Sequence, residues 1–304
     1  MQDAITTSSN DPCVACRRRA LTLFGARRGY RYYRCGGCGT LQLVPMPDPE
    51  ALRRDYAEGY ARADHWQQGP GLRNAAVRGQ SQALVDALTR NGIRSNLLEV
   101  GSGWGALLDL MREHGIDCEG VEPSCEMRAH CVTQGHTVHA GTLETLDAPL
   151  RYDAVVFSSV FEHLVEHERC LEASRALLAP NGFLISLQPT ALFPTFAATV
   201  IRFGMRRLPL PQLHHVLCPP WHTVIFSIDG MSALLGRHGF RLHAVHIAPQ
   251  QRDAGLTGIA QRVLERVNRV GWRVAGVRWP LAVGHVFEFQ KVDDTTPTQE
   301  GSEI

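Results

Sequence analysis

The chain has 304 residues, 31 Lys and Arg against 30 Asp and Glu, and a hydrophobic fraction of 44%. This length and apolar content suit one large globular domain or two unequal ones. A formal charge of +1 excludes a protein that is basic throughout and coats nucleic acid, and it also excludes one that consists mainly of an acidic disordered tail.

The first residues are polar and acidic, so they predict no secretion signal. The longest mostly apolar run, residues 191–201, contains Pro194 and is too short to cross a bilayer. The nine cysteines are odd in number, which favours a reducing compartment over a disulfide framework. We therefore expect a cytoplasmic protein without stable membrane insertion.

Four cysteines form two tight pairs within residues 1–60. Cys13 and Cys16 are separated from Cys35 and Cys38 by 18 residues, a spacing typical of a four-thiolate zinc site. Such a site is closed and leaves no open position for a substrate. We predict a structural zinc that stabilises a module otherwise too small to fold.

The same module is rich in arginine. Residues 13–54 hold nine arginines and only two acidic residues, Asp48 and Glu50. A local basic face suits an anionic partner, although solvated arginine surface is a commoner cause of such a bias. The anionic partner is either a small molecule or the phosphates of RNA.

From about residue 74 to residue 182, short apolar strands alternate with amphipathic helices, which predicts a parallel α/β sheet. A strand at 97–100 runs into a loop with Gly101, Gly103 and Gly105, and Glu122 ends the next strand, 21 residues after Gly101. The glycines let a ligand approach the backbone, and the carboxylate can accept both ribose hydroxyls. The pattern predicts an adenosine-type cofactor, but the loop alone also fits a dinucleotide.

Further strands are predicted at 154–157 and 183–187, with a helix over about 166–178 between them. An insertion at about 189–225, rich in proline and histidine, is expected to supply walls for the substrate. A helix at 228–239, a strand at 240–247 and a final strand at 284–291 follow. The polar residues 293–304 predict a disordered tail.

Five segments in this order resemble the motifs of class I S-adenosylmethionine-dependent methyltransferases. They are residues 97–105, 120–124, 141–144, 152–164 and 177–185. The resemblance implies a Rossmann-like, seven-stranded α/β sheet within a domain at 61–292, with the last strand, 284–291, antiparallel.

The same resemblance assigns cofactor contacts to single residues. Glu99, Gly101, Ser102 and Gly103 would line the methionine end, and Glu122 would bind the ribose. The adenine end and the pocket floor below the sulfonium are assigned to Thr142, Leu143, Glu144 and Ser158.

The N-terminal module resembles the zinc ribbon of a group of methyltransferases that includes sugar C-methyltransferases. Those sugar enzymes carry a further large C-terminal domain that these 304 residues do not contain. We therefore do not predict a nucleotide-sugar acceptor.

Methyl transfer is an in-line displacement that needs a base only when the acceptor must lose a proton. Glu162 and His163 follow the fourth strand, and the resemblance associates this pair with catalysis; His163 is the candidate general base, or else packs beneath the cofactor. His222 resembles a histidine in a loop that covers the substrate. Related metal-dependent enzymes carry Glu-x-x-Glu-His, but Ser159 stands at the first position here, so we predict no catalytic metal.

The leading hypothesis is an S-adenosylmethionine-dependent methyltransferase acting on a small molecule in a biosynthetic pathway. A zinc-ribbon RNA methyltransferase is the alternative, and a non-catalytic cofactor-binding scaffold is the alternative of another class. A nicotinamide-dependent dehydrogenase is a weaker hypothesis, because no hydride-transfer residues follow the first half. The acceptor atom and the oligomeric state stay open.

Overall fold

The computed structural model describes residues 8–58, 69–146, 151–203, 213, 216–250 and 255–292. They form a five-stranded sheet near the N-terminus and a seven-stranded central sheet. The predicted tail, residues 293–304, lies outside the described residues, as does part of the insertion, residues 204–212.

The smaller sheet is antiparallel throughout. Its strands, in spatial order, are β1 (Ser8–Ser9), β2 (Leu21–Arg27), β3 (Tyr30–Cys35), β4 (Leu41–Leu43) and β10 (Val224–Ile225). Arg28 and Gly29 join β2 to β3 with φ angles of 50° and 83°, as in a two-residue type I′ hairpin turn. Because β10 comes from the predicted insertion, this sheet crosses the boundary predicted at residue 60.

The central sheet contains the other seven strands. They are β5 (Leu97–Val100), β6 (Cys118–Glu122), β7 (Val138–Ala140), β8 (Tyr152–Ser158), β9 (Leu178–Pro189), β11 (Phe240–Ile247) and β12 (Gly284–Lys291). Their order is β11-β12-β9-β8-β5-β6-β7. The pairs from β9 to β7 are parallel, whereas β12 is antiparallel to both of its neighbours, which confirms the predicted sheet.

Eight α-helices are described. They are α1 (Pro49–Glu58), α2 (Gly69–Arg90), α3 (Ala106–Glu113), α4 (Cys125–Thr133), α5 (His167–Leu177), α6 (Leu192–Arg202), α7 (Ile228–Arg237) and α8 (Gly255–Ala275). Ser124 caps α4, because its hydroxyl accepts a hydrogen bond from the Met127 amide at 3.4 Å. Gly115, with a φ of 65°, follows the end of α3.

Helices cover both faces of the central sheet, so its strands are apolar almost throughout. Leu97 and Val156 belong to the core cluster that includes α2 and α3, whereas Leu98 and Phe157 belong to the cluster that includes α5 and α7. This alternation follows from the two-residue period of a strand. It leaves the carboxyl ends of the parallel strands at one edge, where ligands bind in such folds.

The N-terminal sheet shares its core with the central domain. Cys13 and Leu21 belong to the same buried cluster as Met231 and Leu234 of α7. On the other side of this sheet, Phe193 of α6 packs in a cluster with β3, β4 and β10. None of the described helices is both long enough and apolar enough to span a membrane.

Candidate active site

The glycine loop after β5 adopts backbone conformations that favour glycine. Gly101, Gly103 and Gly105 have φ angles of 69°, 54° and 79°. A Cβ on Gly101 would lie 3.0 Å from Val160, whereas a Cβ on Gly103 would meet no heavy atom within 4 Å. The loop is therefore packed closely at its first glycine and open at its second.

Glu122 is buried at the end of β6 and faces this loop. Its two carboxylate oxygens accept hydrogen bonds from the backbone amides of Gly103 and Ser124, each at 2.8 Å. Burial raises the pKa of Glu122, and these two hydrogen bonds act in the opposite direction. Each oxygen keeps a second lone pair, so the carboxylate can still accept ribose hydroxyls.

Glu99, in β5, is buried deeper than the loop that follows it. Burial and the charge of Glu122 raise its pKa well above the ordinary range of a carboxyl group. Glu99 Oε2 and the nearby Ser102 Oγ have no hydrogen-bond partner within the described structure. Buried polar atoms of this kind normally have a partner, so the end of the loop is suited to a polar ligand.

Two further segments reach the same edge of the sheet. Thr142 precedes a 3-10 turn at Leu143–Thr145. Its backbone amide donates a hydrogen bond to the Thr145 hydroxyl at 3.1 Å. Ser158 ends β8, and Ser159 follows it with a φ of 56°.

Glu162 and His163 lie in the 3-10 turn Phe161–His163, beyond the end of β8. The Glu162 side chain is fully buried, and burial raises its pKa to about 8. The rings of His163 and His222 meet edge to face with their centroids 4.8 Å apart. The donor atoms of all three residues lie within 4.8 Å of one another.

Both histidines are oriented by backbone carbonyls. Nδ1 of His163 lies 2.9 Å from the carbonyl oxygen of Trp221, and Nδ1 of His222 lies 2.7 Å from that of Val216. A carbonyl only accepts hydrogen bonds, so the neutral rings carry the proton on Nδ1 and the lone pair on Nε2. The prediction that no catalytic metal binds here stays untested.

Thr223 connects the turn that carries Glu162 to the N-terminal sheet. Its amide donates to the Glu162 carbonyl at 2.7 Å, while its own carbonyl accepts from the Leu43 amide at 2.9 Å. Next to it, the buried Tyr32 hydroxyl donates to the His222 carbonyl at 2.6 Å. Strands β3 and β4 therefore hold the backbone of the predicted catalytic residues.

The four N-terminal cysteines converge as predicted and form no disulfide. Their Sγ atoms are 3.7 Å apart for Cys13 and Cys38 and 3.6 Å apart for Cys16 and Cys35. Zn–S bonds of about 2.3 Å in a tetrahedron place sulfurs roughly 3.8 Å apart. The Gly37 amide points at Cys35 Sγ from 3.3 Å. This donor set therefore fits a zinc ion.

One cavity of about 870 Å³ joins all of the predicted catalytic and cofactor residues. Its lining includes Glu99, Gly101, Ser102, Gly103, Glu122, Thr142, Leu143, Glu144, Ser158, Glu162, His163 and His222. Small-ligand sites occupy roughly 300–1,000 Å³, so this one is large enough for a cofactor and an acceptor together.

The cavity also has lining residues that the sequence did not predict. Arg27 and Arg28, at the turn of the β2–β3 hairpin, form part of the wall together with Arg53 of α1. Arg27 donates to the Leu217 carbonyl at 2.7 Å, and Arg53 pairs with Glu166 at 2.7 Å. The Arg-Arg-Gly turn of the hairpin was a readable signal, but its position beside the cavity depends on tertiary packing.

The order of the central sheet and the glycine loop at its carboxyl edge define a Rossmann-like class I methyltransferase fold. The chain belongs to the methyltransferase domain family, which it matches over residues 71–245. The four N-terminal cysteines precede the matched residues, and the resemblance of their segment to a zinc ribbon stays a prediction.

Individual relatives agree with this family. A ubiquinone biosynthesis O-methyltransferase of Rhodopseudomonas palustris strain HaA2 is 26% identical over 146 residues, or 45% of this chain and 57% of that enzyme. The chain thus aligns with little more than half the length of this curated relative.

Two solved structures share the fold. A magnesium protoporphyrin IX methyltransferase from Synechocystis PCC 6803 aligns with a TM-score of 0.52 and 14% identity, covering 80% of this chain and 100% of that one. A 1,6-didemethyltoxoflavin-N1-methyltransferase from Burkholderia thailandensis aligns with a TM-score of 0.52 and 15% identity, covering 90% and 100%. At these identities the similarity concerns the fold.

Proposed function

We propose that this protein transfers the methyl group of S-adenosylmethionine to a small-molecule acceptor bound in the cavity. The observation that carries the proposal is a set of three buried carboxyl groups, Glu99, Glu122 and Glu162, around one cavity with an open glycine loop. Burial is the largest cause of the raised pKa of each, and no basic group of the described chain offsets it. The cavity is therefore suited to a ligand with cationic groups.

S-adenosylmethionine supplies such groups, because it carries an ammonium and a methyl group on a positively charged sulfur. Glu99 Oε2 and Ser102 Oγ, which have no partner in the described chain, lie where the methionine end is predicted. Glu122 is placed for the ribose, and Gly103 leaves space for a ligand against the backbone. A nicotinamide dinucleotide would instead bring two negative phosphates to the loop beside Glu99, which disfavours that alternative.

At the acceptor end, the chain's own residues orient the acceptor and remove a proton from it. We assign His163 as the general base, since its Nδ1 contact with the Trp221 carbonyl favours the tautomer whose lone pair is on Nε2, the atom that would accept the proton. His222, against which its ring packs, restricts the orientation of His163. Glu162, with a pKa raised by burial to about 8, is mostly protonated at neutral pH as long as no cation lies beside it.

The acceptor itself is proposed to be a small molecule with an anionic group. The cavity wall carries Arg27 and Arg28 from the hairpin turn, and guanidinium groups recognise carboxylates and phosphates. The enclosed space suits a small molecule better than a polymer, and the ubiquinone biosynthesis relative is named for a small-molecule pathway.

We further infer that Cys13, Cys16, Cys35 and Cys38 hold a structural zinc. Four sulfurs at tetrahedral spacing leave no open coordination position, so this metal would have no part in the chemistry. The ion would instead fix the hairpins that pack against α7 and the catalytic turn.

Calorimetric titration of the zinc-loaded full chain with S-adenosylmethionine tests the proposal. We expect saturable binding that Glu122→Gln weakens at least roughly tenfold, because the amide cannot accept from both the Gly103 and Ser124 amides and carries no charge for the ribose. NADH is expected to give no heat.

Glu126→Gln is the matched control, because Glu126 lies on the exposed side of α4, close to Glu122 in the chain. It should bind the cofactor as the wild type does. A folded protein that binds NADH but not S-adenosylmethionine would show that the proposed function is wrong.

A further inference from the structure

Helix α8 carries a repeated pair of residues on its outer side. Arginine is followed directly by valine four times within thirteen residues. The pairs are Arg262-Val263, Arg266-Val267, Arg269-Val270 and Arg273-Val274. We name these eight residues the Arg–Val face. Their spacing of four, three and four residues is that of one side of an α-helix.

The valines of the Arg–Val face lie in solvent. Their exposed fractions are 58% for Val263, 44% for Val267, 61% for Val270 and 85% for Val274. At 100° per residue the four side chains fall within an arc of about 60°, and the arginines form a parallel row next to them. An apolar row of this length, open to water, indicates a surface that something covers.

The packing of α8 fixes which side of the helix faces outward. Asn268 is buried, and its side-chain oxygen accepts a hydrogen bond from Trp279 Nε1 at 2.9 Å. Gly271 is buried as well, and a Cβ there would lie 2.1 Å from the Trp279 ring. Trp272 packs on His285 of β12, with ring centroids 5.2 Å apart. The helix therefore cannot rotate to bury its valines.

The charge of this surface selects the partner. Glu265 is the only acidic residue in α8, and it pairs with Arg269 at 3.2 Å. A second copy of this chain would bring two arginine rows together without acidic groups to neutralise them. RNA would satisfy the arginines but would gain nothing from the valines. A bilayer surface with anionic headgroups satisfies both rows, because valine side chains enter the boundary with the acyl chains while guanidinium groups bind phosphates.

We propose that the Arg–Val face of α8 docks this protein on an anionic phospholipid bilayer. Docking in this way is peripheral and needs no membrane-spanning helix. Gln261, directly before the first pair, lines the cavity, so the bilayer would lie beside one of its walls. The surface is independent of the proposed methyl transfer and can be tested without a known acceptor.

Vesicle flotation with the zinc-loaded full chain tests the proposal. We expect the protein to float with vesicles of phosphatidylcholine and phosphatidylglycerol in equal parts, and to stay unbound with phosphatidylcholine alone. The double substitution Arg266→Glu and Arg273→Glu should reduce the partition coefficient roughly tenfold or more, because each arginine near an anionic surface contributes about 1 kcal/mol. Val270→Ser with Val274→Ser should also reduce it, and both effects should be absent in matched surface substitutions.

Those matched substitutions are Arg241→Glu on β11 and Val132→Ser on α4, both at exposed positions outside α8. Circular dichroism and S-adenosylmethionine binding confirm that each variant is folded. Absence of flotation by the folded wild type would overturn the proposal. Flotation that the valine substitutions leave unchanged would overturn it too, because charge alone would then account for binding. Equal binding to RNA with the same insensitivity to the valine substitutions would assign the arginines to nucleic acid.

Discussion

The two histidines of the candidate site differ in the structural elements that position them. His163 and His222 share an edge-to-face contact and the same Nδ1–carbonyl arrangement, but only His163 lies in the 3-10 turn beyond the end of β8 in the central sheet. His222 has its own carbonyl bound by Tyr32 of the N-terminal sheet. His163 is thus positioned from the central sheet, whereas the backbone at His222 is held by the N-terminal sheet.

Replacing His163 with alanine tests its role as a base. We expect turnover to fall by ~10²-fold or more, since a positioned general base contributes about that much. S-adenosylmethionine affinity should change little, because His163 is not among the residues proposed to bind the cofactor. The measurement is S-adenosylhomocysteine release with an acceptor that the wild type methylates, together with calorimetric cofactor binding.

His139→Ala is the matched control for this experiment. His139 lies on β7, pairs with Glu119 at 2.8 Å, and does not line the cavity. Its substitution should leave turnover near the wild-type value. Unchanged turnover in His163→Ala would limit His163 to packing beneath the cofactor.

At the scale of elements, the N-terminal sheet is part of the active-site structure. The short strand β10 pairs with β4 and lies directly after the segment that carries His222 and Thr223. The backbone of Thr223 makes one hydrogen bond to Leu43 in β4 and another to Glu162, so it links these two segments. The N-terminal sheet and the turn that carries Glu162 and His163 are therefore connected by backbone hydrogen bonds.

Tyr32→Phe tests this coupling without disturbing the zinc ligands. Loss of the hydroxyl leaves the His222 carbonyl without its buried donor, which costs about 1–3 kcal/mol if the loop keeps its position. We expect kcat to fall severalfold while cofactor affinity and zinc content, measured by atomic absorption, stay unchanged. Cys35→Ser, in contrast, should lose the metal.

Tyr30→Phe is the matched control on the same strand, because Tyr30 is exposed. It should behave as the wild type. Equal kcat values for Tyr32→Phe and the wild type, with zinc bound, would contradict a positioning role for β3.

Features that depend on residues close together in the sequence could be predicted, whereas features that depend on residues far apart in the chain could not. The glycine loop and the position of Glu122 at a strand end are set by neighbours within one βα unit, so local patterns were sufficient to predict them. The convergence of the four cysteines was predictable because the geometry of a metal site imposes their spacing. In contrast, β10 is a strand of two residues whose only reason to be extended is its partner β4, far away in the chain. The cavity wall at Arg28 depends on that same long-range pairing.

The molecule buries both histidines and glutamates. Protonation of the histidines at low pH destabilises the folded chain, and so does ionisation of the glutamates at high pH. Burial lowers the pKa of His167 and of His285 to about 4, so the unfolded chain binds protons that the folded chain does not as pH falls below about 6.5. Burial raises the pKa of Glu162 to about 8, and it raises the pKa of Glu99 as well. We therefore expect the free energy of unfolding to be greatest at mildly acidic pH, up to about 6.5, and to fall as pH rises above that value.

The alkaline side of this profile can be assigned to Glu162. Between about pH 4.5 and 8 the folded chain holds a proton on Glu162 that the unfolded chain has lost, so stability falls as pH rises through this window. Glu162→Gln removes the ionisation and should flatten the profile there. At pH 8.5 the variant should be more stable than the wild type, by up to about 5 kcal/mol for a shift of this size. Urea unfolding of the zinc-loaded proteins at pH 6 and pH 8.5 measures the difference.

Glu166→Gln provides the comparison, because Glu166 is near in sequence and its pKa is instead lowered by hydrogen bonds from Arg169 and Arg53, against a smaller effect of burial. This substitution should leave the slope of stability between pH 6 and pH 8.5 as in the wild type, since a carboxyl with a lowered pKa is ionised in both folded and unfolded chains over that range. Parallel profiles for Glu162→Gln and the wild type would mean that the Glu162 carboxyl is ionised in the folded protein. A cation bound beside it would be the direct physical explanation, and addition of S-adenosylmethionine to the wild type should produce the same flattening.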